Sequence, residues 1–372
     1  MTFAYAPALS QAAAVAADHA LATDGGAFPT AALAALRAGG LLGLVSSTDV
    51  GGHGLGLGAA VEVVETLARA CASTAMVTCM HYAGAVVIEA HGPRAVREAI
   101  AAGRHLTTLA FSEAGSRSQF WVPVSTATPD GDHVRLNAKK SWVTSARHAD
   151  SYVWSSKPAA GTELSTLWLV PRTAAGLRLA DAGFDGLGLR GNDSSPVVAE
   201  AVRVAVADRL GDDGAGFGLM MGTVLPWFNV LSAAVSCGVM DAAITRAAAH
   251  VTATPFQHAG STIADLPTVR AYLARARIRA DQCHALVADT VAARHAGRAD
   301  TMLRVLECKA AAADAAAEVT DLAMRVCGGA AFRKEGGVER AFRDARAAQV
   351  MAPTSDVLYD FIGKAVCGQP LF

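Results

Sequence analysis

The stretch 122–145, "VPVSTATPDGDHVRLNAKKSWVTS", differs in character from the sequence on either side of it. Apolar and polar residues alternate along it, and Asp130-Gly131 interrupts the alternation once. A period of two is typical of strands with one buried face, and Asp-Gly is a frequent tight turn between antiparallel strands. The stretch therefore predicts a β-hairpin.

Other short runs rich in β-branched residues surround this hairpin and are separated by turn signals. They are "HLTTLAFSE" (105–113), "DSYVWSS" (150–156), "STLWLVP" (165–171) and "PVVAEAVRVAVADRL" (196–210). Many short strands at this spacing are typical of an antiparallel β-domain. We expect that domain to cover residues 106–213.

Both flanks of the β-domain have helical periodicity. Residues 1–105 are rich in Ala, Leu and Val, and their apolar residues recur at every third or fourth position. The same period marks 214–251, 266–296, 299–326 and 339–349. The sequence thus predicts an α+β, mostly α fold, with an N-terminal helical domain (1–105) and a C-terminal helical bundle (214–372). No G-x-G-x-x-G opens a helix after a strand, which disfavours a Rossmann domain.

Composition excludes several classes of function. A net charge of −1 gives no electrostatic basis for binding nucleic acid. We consider every apolar run to be interrupted by a charge or a His before it reaches the roughly 18–20 residues that a membrane span needs. We therefore expect no membrane segment. The start lacks a basic signal region, so we expect a cytoplasmic protein. Seven scattered cysteines without a C-x-x-C pair predict neither disulfides nor a metal site.

Five stretches then suggest a family. They are "FSEAGSRSQ" (111–119), "LNAKKSWVTSARHAD" (136–150), "GLGLRGNDSSPV" (186–197), "RLGDDGAGF" (209–217) and "RVCGGAAFRKEGGVERAFRDAR" (325–346). In order and rough spacing they resemble segments of the acyl-CoA dehydrogenase family. The resemblance implies an N-terminal helical domain, a β-barrel-like middle domain and a C-terminal four-helix bundle. It also implies a homotetramer that binds FAD, with FMN as the alternative cofactor.

Four residues of the middle domain suit a flavin ring. Trp142 offers a flat apolar face, while Ser112, Thr144 and Ser145 offer hydroxyls and backbone N–H groups at strand ends. The resemblance implies that Trp142 and Thr144 line the ring and that Ser112 faces its pyrimidine edge. The alternative is that Trp142 belongs to the barrel core and the hydroxyls cap turns.

A second cofactor region is implied around Gly328-Gly329. The resemblance places this turn against the ADP half of the cofactor of a neighbouring subunit, although such a pair commonly just ends a helix. Phe256 matches a Phe of the family, but Ala253 stands where the family has an Arg near the pyrophosphate. Arg325 replaces the usual Gln, and we expect it to supply part of the missing charge.

The catalytic base is the main departure from the family. There, a Glu removes the α-proton of the acyl thioester while a hydride passes from the β-carbon to the flavin. Counting from Arg343-Asp344, that Glu falls on Ala352, which cannot take a proton. Some relatives carry the Glu on the first helix of the C-terminal bundle, where this chain has Phe228 and Asn229.

The nearest remaining carboxylate is that of Asp356. It is a candidate base, and it equally suits the first turn of a helix, where a negative charge is favourable. Arg117 replaces a small residue in the Gly-Ser turn of the family, and next to Ser118 it could bind a carboxylate or phosphate of the substrate. Arg117 could also be a solvated loop residue. We expect Phe228, Asn229 and Ala352 to contact the substrate as well.

Three functions remain open at this point. The first, which we favour, is a dehydrogenase that oxidises an acyl thioester, carried by CoA or a carrier protein, and passes electrons to an acceptor. The second is a flavin-dependent oxygenase that uses O2 on a small molecule and needs no base for an α-proton. The third is a flavoprotein scaffold without catalysis. Fold alone does not separate them.

Overall fold

Helices at both ends enclose a strand-rich middle, in the order that the sequence predicts. The computed structural model describes residues 3–117 and 119–371. The N-terminal helices are α1 (Ala6–Asp18), α2 (Ala20–Asp24), α3 (Thr30–Ala38), α4 (Leu57–Ala70), α5 (Ala72–His91) and α6 (Arg94–Ala101). Helix α5 carries no Asp, Glu, Lys or Arg before Glu89, and most of its side chains are buried. A helix that is apolar all round is a core helix.

In the described residues, the middle of the chain forms eight strands. They are β1 (Thr107–Ala110), β2 (Thr126–Asp130), β3 (His133–Val143), β4 (Ser151–Ser156), β5 (Thr166–Pro171), β6 (Leu177–Leu179), β7 (Ser195–Ala205) and β8 (Arg209–Leu210). One sheet has the order β1-β4-β5-β8 and the other β2-β3-β7-β6. Their inward faces share a core that contains Tyr152, Trp154 and Trp168.

The predicted hairpin is present, but the domain is not wholly antiparallel. Strands β2 and β3 pair from Thr126–Asn137 to Asp130–His133, with Gly131 at φ 67° in the turn. Strand β1, however, pairs with β4 in parallel. The chain between β1 and β4 crosses to the second sheet and forms the β2–β3 hairpin there. It then returns to the first sheet, where β4 runs in the same direction as β1. The sequence prediction was wrong at this pair.

Long helices dominate the C-terminal part. The elements are α7 (Gly216–Leu219), α8 (Leu225–Ala253), a small hairpin of β9 (Pro255–Phe256) and β10 (Ser261–Thr262), α9 (Pro267–Ala296), α10 (Thr301–Cys327), α11 (Val338–Ala345), α12 (Ala347–Val350) and α13 (Ser355–Val366). Helix α10 packs against α8, α9 and α13, which makes the predicted bundle, and α4 packs on α8. Gly297 and Gly328 follow α9 and α10 with φ of 62° and 57°, which suits glycine at a helix end.

One expectation about apolar runs was wrong. Residues 216–240 carry no charge or His, and the continuous helical segment Gly216–Ala253 is long and apolar enough to cross a membrane. Its most apolar window is 94% buried inside the structure, between the N-terminal helices and the rest of the bundle. The segment is therefore accounted for as the core helix of this fold.

A charged network joins α4, α8 and α9. The His284 ring lies 3.4 Å from a Glu65 oxygen and 3.2 Å from an Asp241 oxygen. These three groups could hold a metal ion by their spacing. Arg69 and Arg277, however, already form ion pairs with Asp241. The positive charge that the carboxylates require is present, so we interpret the cluster as an ion-pair network.

This network makes stability depend on pH. Hydrogen bonds that the His284 ring donates to Asp241 and Glu65 raise the pKa of His284 to about 9. The pKa of His284 is therefore higher in the folded protein than in an unfolded chain, where it is about 6.5. The resulting stabilisation is complete below about pH 6.5 and is lost as pH rises through about 9. We expect His284→Gln to lower the free energy of unfolding by about 1–2 kcal/mol at pH 6, with allowance for partial solvent screening.

Urea unfolding at several pH values measures this difference. The gap between the parent and His284→Gln should shrink steadily from pH 6 to pH 10, as the parent's imidazolium loses its proton. His295→Gln, an exposed position near the end of the same helix, is the matched control and should leave stability unchanged. A gap that stays constant across the pH range would contradict the assignment.

Candidate active site

A cavity of about 500 Å³ opens where the two sheets meet the start of α8 and the segment after α11. This size is typical of small-molecule sites. Its walls come from the ends of β1 and β3, the loop 184–194, the first turns of the α8 segment, and residues 347–352. A single π-helical turn, Met220–Val224, precedes α8 at the cavity, and such turns are frequent at functional sites.

The cavity brings together predicted residues that lie far apart in the sequence. Six of them line it: Ser112, Arg117, Trp142, Thr144, Phe228 and Ala352. Residues expected to contact the flavin and residues expected to contact the substrate thus line the same cavity. Of the expected substrate residues, Ser118 lies outside the described residues, and Asn229 is buried behind the wall, where its Nδ2 donates to the Val305 carbonyl at 3.3 Å.

Trp142 is turned towards the cavity and is not a core aromatic. A register irregularity between β3 and β7 separates Lys140 from Val143, and Trp142 has φ 54°. Irregularities of this kind re-aim side chains at functional sites. The Trp142 side chain is 62% exposed, and its ring lies 4.3 Å from that of Phe184. The alternative interpretation as a barrel-core residue is therefore wrong.

Hydroxyl groups lie beside this aromatic pair. The Thr144 hydroxyl is 3.4 Å from that of Ser194, while the hydroxyls of Ser112 and Ser141 have no hydrogen-bond partner within the described ranges. The Ser141 amide donates to the Ser112 carbonyl at 2.9 Å, which fixes the two strand ends side by side. A flat apolar face bordered by free hydroxyls fits a flavin ring, which needs stacking contacts on its faces and hydrogen bonds along its edge.

A buried ion pair supports this wall. The Lys140 ammonium donates to Glu113 at 2.5 Å, to the Ser155 carbonyl at 2.7 Å and to the Ser155 hydroxyl at 2.9 Å. The second oxygen of Glu113 accepts from the amides of Val124 and Ser125 at 2.7 and 2.9 Å. Burial lowers the pKa of Lys140 to about 8. Burial alone would raise the pKa of Glu113, but Lys140 and the two amides hold it below its usual value.

Sequence reasoning missed this pair although a signal was present. Along β3, Val134, Leu136 and Ala138 face the core, and Lys140 continues the same alternation. A lysine in phase with core residues needs a buried anion, and Glu113 is the residue that follows Ser112. Glu113 lines the cavity, but each of its oxygens already accepts hydrogen bonds, so it is not a free base.

The positions expected for a base lack one. Ala352 and Phe228 both line the cavity and neither can accept a proton. Asp356 is exposed in the first turn of α13, after the N-cap Thr354, and is not part of the cavity lining. Within the described part of the lining, Glu113 is the only carboxylate.

The other expected cofactor residues are not part of the cavity lining. The Arg325 guanidinium lies over the Tyr272 ring at 4.8 Å, and Phe256 belongs to the small β9–β10 hairpin. Gly328 and Gly329 lie on open surface, with nothing within 4 Å of a side chain added there. Ser145 is buried next to the cavity, and its amide donates to the Asn192 carbonyl at 2.9 Å. The cofactor roles of these residues stay predictions.

Substitution of Lys140 tests whether its buried ion pair with Glu113 stabilises the structure. Lys140→Met leaves Glu113 buried without its cation, and we expect it to lower the free energy of unfolding by roughly 3–5 kcal/mol. Lys139→Met is the matched control, since Lys139 is the exposed neighbour on the same strand, and should change stability by no more than about 0.5 kcal/mol. Equal effects of the two substitutions in urea unfolding would refute the role of the pair.

Comparisons with known proteins cover nearly the whole chain. Sequence models of the acyl-CoA dehydrogenase N-terminal, middle and C-terminal domains match residues 8–103, 108–202 and 214–367. A probable acyl-CoA dehydrogenase of Bacillus subtilis (strain 168) is 26% identical over 344 residues, which cover 89% of this chain and 88% of that protein.

Solved structures share the fold. Butyryl-CoA dehydrogenase from Megasphaera elsdenii superimposes with a TM-score of 0.90 at 22% identity and covers 99% of both chains. The prolyl acyl carrier protein oxidase AnaB has a TM-score of 0.88 at 19% identity, with coverage of 97% of this chain and 98% of its own.

Proposed function

Because this chain belongs to the acyl-CoA dehydrogenase family, and is thus a flavin-dependent oxidoreductase that uses FAD, we propose that its substrate is an acyl thioester. The proposed reaction is oxidation between the α- and β-carbons. The observation that carries this proposal is that Trp142 and Thr144, the expected flavin contacts, and Ala352, the expected substrate contact, line one cavity.

The residues of the cavity divide into two groups by their chemistry. Trp142 and Phe184 offer ring faces to the flavin, and the hydroxyls of Ser112, Ser141 and Thr144 offer hydrogen bonds to its edge. When bound there, FAD supplies the hydride acceptor. A bound substrate needs the second group, which is apolar.

That apolar group can hold an acyl chain and exclude water. It consists of Met80, Leu109, Val224, Leu225, Phe228, Val350, Met351 and Ala352. Removal of water from such a pocket strengthens the polar interactions within it and suppresses side reactions. Arg117 is the only positively charged residue in the described lining, and it has φ 49°. It could bind a carboxylate or phosphate of the substrate.

The missing base limits which substrates react well. A positioned general base typically accelerates proton transfer about 10²–10⁴-fold. We therefore expect slow reaction with simple straight-chain thioesters and faster reaction with a substrate whose α-proton is more acidic. Asp356 remains a proposed base only if its segment moves, since the side chain is exposed and outside the cavity lining.

An oxygenase is the second candidate. The supporting observation is that Glu113, the only carboxylate in the described lining, is fully engaged, while the opposite wall is apolar. Oxygen chemistry at a reduced flavin needs no base for an α-proton and benefits from a dry pocket.

The fold likeness to AnaB, which by its name is an oxidase of a carrier-protein substrate, leaves both CoA and a carrier protein as acyl carriers.

The assembly and location are part of the same proposal. A homotetramer would bring a neighbour's cofactor to the exposed Gly328-Gly329 turn, and Arg325 would lie near the end of that surface. The electron acceptor would approach from solvent. We propose a cytoplasmic protein on the basis of the sequence arguments alone.

Restoration of a carboxylate tests the reaction directly. If Ala352 lies over the α-carbon of the substrate, Ala352→Glu supplies the missing base. We expect its flavin absorbance to bleach with an acyl-CoA at least about tenfold faster than that of the parent, under anaerobic conditions. Ala352→Gln has nearly the same size without a basic carboxylate and serves as the matched control.

The outcomes separate the candidates. Equal bleaching rates of the Glu and Gln variants would remove residue 352 from the proton-transfer path. If the parent bleaches with no thioester, consumes O2 after chemical reduction and inserts oxygen into a small molecule, the oxygenase replaces the dehydrogenase. If it does none of these, the scaffold interpretation holds.

A further inference from the structure

A buried lysine lies behind the wall that carries Ala352. Lys309, on α10, is 1% exposed and is absent from the cavity lining. Its ammonium donates to the carbonyls of Ala348 at 3.1 Å, Met351 at 3.0 Å and Pro353 at 2.7 Å. An ammonium has three N–H groups, so all of its hydrogen-bonding capacity is used by one short segment of chain.

No carboxylate neutralises this lysine within the described residues. The ionisable groups that act on it are the thiols of Cys308, on the same helix, and Cys79, on α5. Burial raises the pKa of both thiols, that of Cys308 to about 12, so both stay neutral near pH 7. The carboxylate of Asp314, which is also on α10, instead accepts hydrogen bonds from Gln349 of α12 and Tyr359 of α13.

Carbonyl dipoles therefore provide the compensation for the buried charge. Ala348 lies in the single turn of the four-residue helix α12 and Met351 follows it, so both carbonyls belong to the C-terminal end, where carbonyls have no partner within the helix. A cation is favourable at such an end. The arrangement satisfies three carbonyls that would otherwise be buried without partners, and it attaches the segment to the middle of α10.

The same segment forms the cavity wall on its other side. Ala347, Val350, Met351 and Ala352 line the cavity. Of the residues whose carbonyls bind Lys309, Met351 is itself in this lining, and Ala348 and Pro353 are sequence neighbours of lining residues. Besides apolar packing, the hydrogen bonds to Lys309 and the one from Gln349 to Asp314 are polar contacts that tie this segment to α10, and the bonds to Lys309 are the ones made to its backbone. Movement of the backbone by about 1 Å would change the shape of the pocket at the expected substrate position.

We propose that Lys309 is a positioning residue of the active site: its ammonium group holds residues 347–353 as the pocket wall from behind, and loss of its proton loosens that wall. The inference concerns the wall itself and is independent of which reaction the flavin performs. It differs from a general structural role because it predicts an effect confined to one segment and controlled by one proton.

The pH dependence has a defined direction. Burial lowers the pKa of Lys309 to about 7. A neutral amine keeps two N–H groups and presents a lone pair to the third carbonyl, so the wall loses one bond as pH rises through about 7. Cys79 and Cys308 do not titrate in this range because burial raises the pKa of each thiol.

Hydrogen exchange followed by mass spectrometry tests the proposal segment by segment. In the parent protein loaded with FAD, protection of the amides in 347–357, corrected for intrinsic exchange, should fall by about tenfold from pH 6 to pH 9. Lys309→Met removes the charge and the donors, and its segment should be poorly protected at both pH values. Lys309→Gln keeps two donors without the charge and should be intermediate, with no pH step.

A control and a second readout keep the test decisive. Lys364→Met changes a half-buried lysine of α13 that pairs with Asp360, and it should retain the parent's pH step. The dissociation constant of FAD, from flavin fluorescence, should stay within about twofold of the parent's in Lys309→Met at pH 6, because Lys309 bonds only to the opposite wall, and protection of α9 should stay unchanged.

Two results would overturn the proposal. One is a pH step in 347–357 that persists in Lys309→Gln or Lys309→Met, since the titrating group would then be elsewhere. The other is uniform loss of protection over the whole chain, since the lysine would then only stabilise the fold. If neither variant folds, the parent alone decides, because absence of the step between pH 6 and pH 9 refutes the proton-controlled wall.

Discussion

The ion pair of Lys140 with Glu113 is the interaction on which the wall of the cavity that carries Ser112, Ser141 and Trp142 depends. The pair joins the segment that follows β1 to strand β3, and the backbones of the same two residues form an isolated antiparallel β-bridge. Ser112, Ser141 and Trp142 are immediate neighbours of the pair in sequence, so its geometry fixes where they face. Each charge is buried, and loss of either partner would leave the other without compensation.

A second buried ammonium, that of Lys309, faces the opposite wall with carbonyls in place of a carboxylate. The two lysines thus support the two sides of one cavity from behind, while the surfaces in contact with a ligand remain aromatic, hydroxylic or apolar. This division explains how a pocket can be well positioned and yet have no free acid or base in its described lining.

Local patterns in the sequence predicted the fold well, since the hairpin at 122–145 and the long C-terminal helices each depend on periodicity within one segment. The parallel pairing of β1 with β4 depends on a path of some forty residues and left no local signal. Lys309 was missed because a lone lysine on a helix is usually exposed, although Val305, Ala312 and Ala313 share its buried face. The Gly328-Gly329 turn was expected to meet the cofactor of a neighbouring subunit, a contact that one chain alone does not form. The six residues found at the cavity lie on segments that the chain itself brings together.

The central claim is that an acyl thioester reduces the flavin in this cavity. An anaerobic titration of the oxidised wild-type protein against a panel of acyl-CoA and acyl-carrier-protein thioesters tests it most directly, with flavin absorbance and product mass as readouts. The account predicts that at least one thioester, with an acidified α-proton, bleaches the flavin and yields a product lacking a pair of hydrogen atoms. Absence of bleaching across the panel, in protein that carries its full complement of FAD, would contradict it.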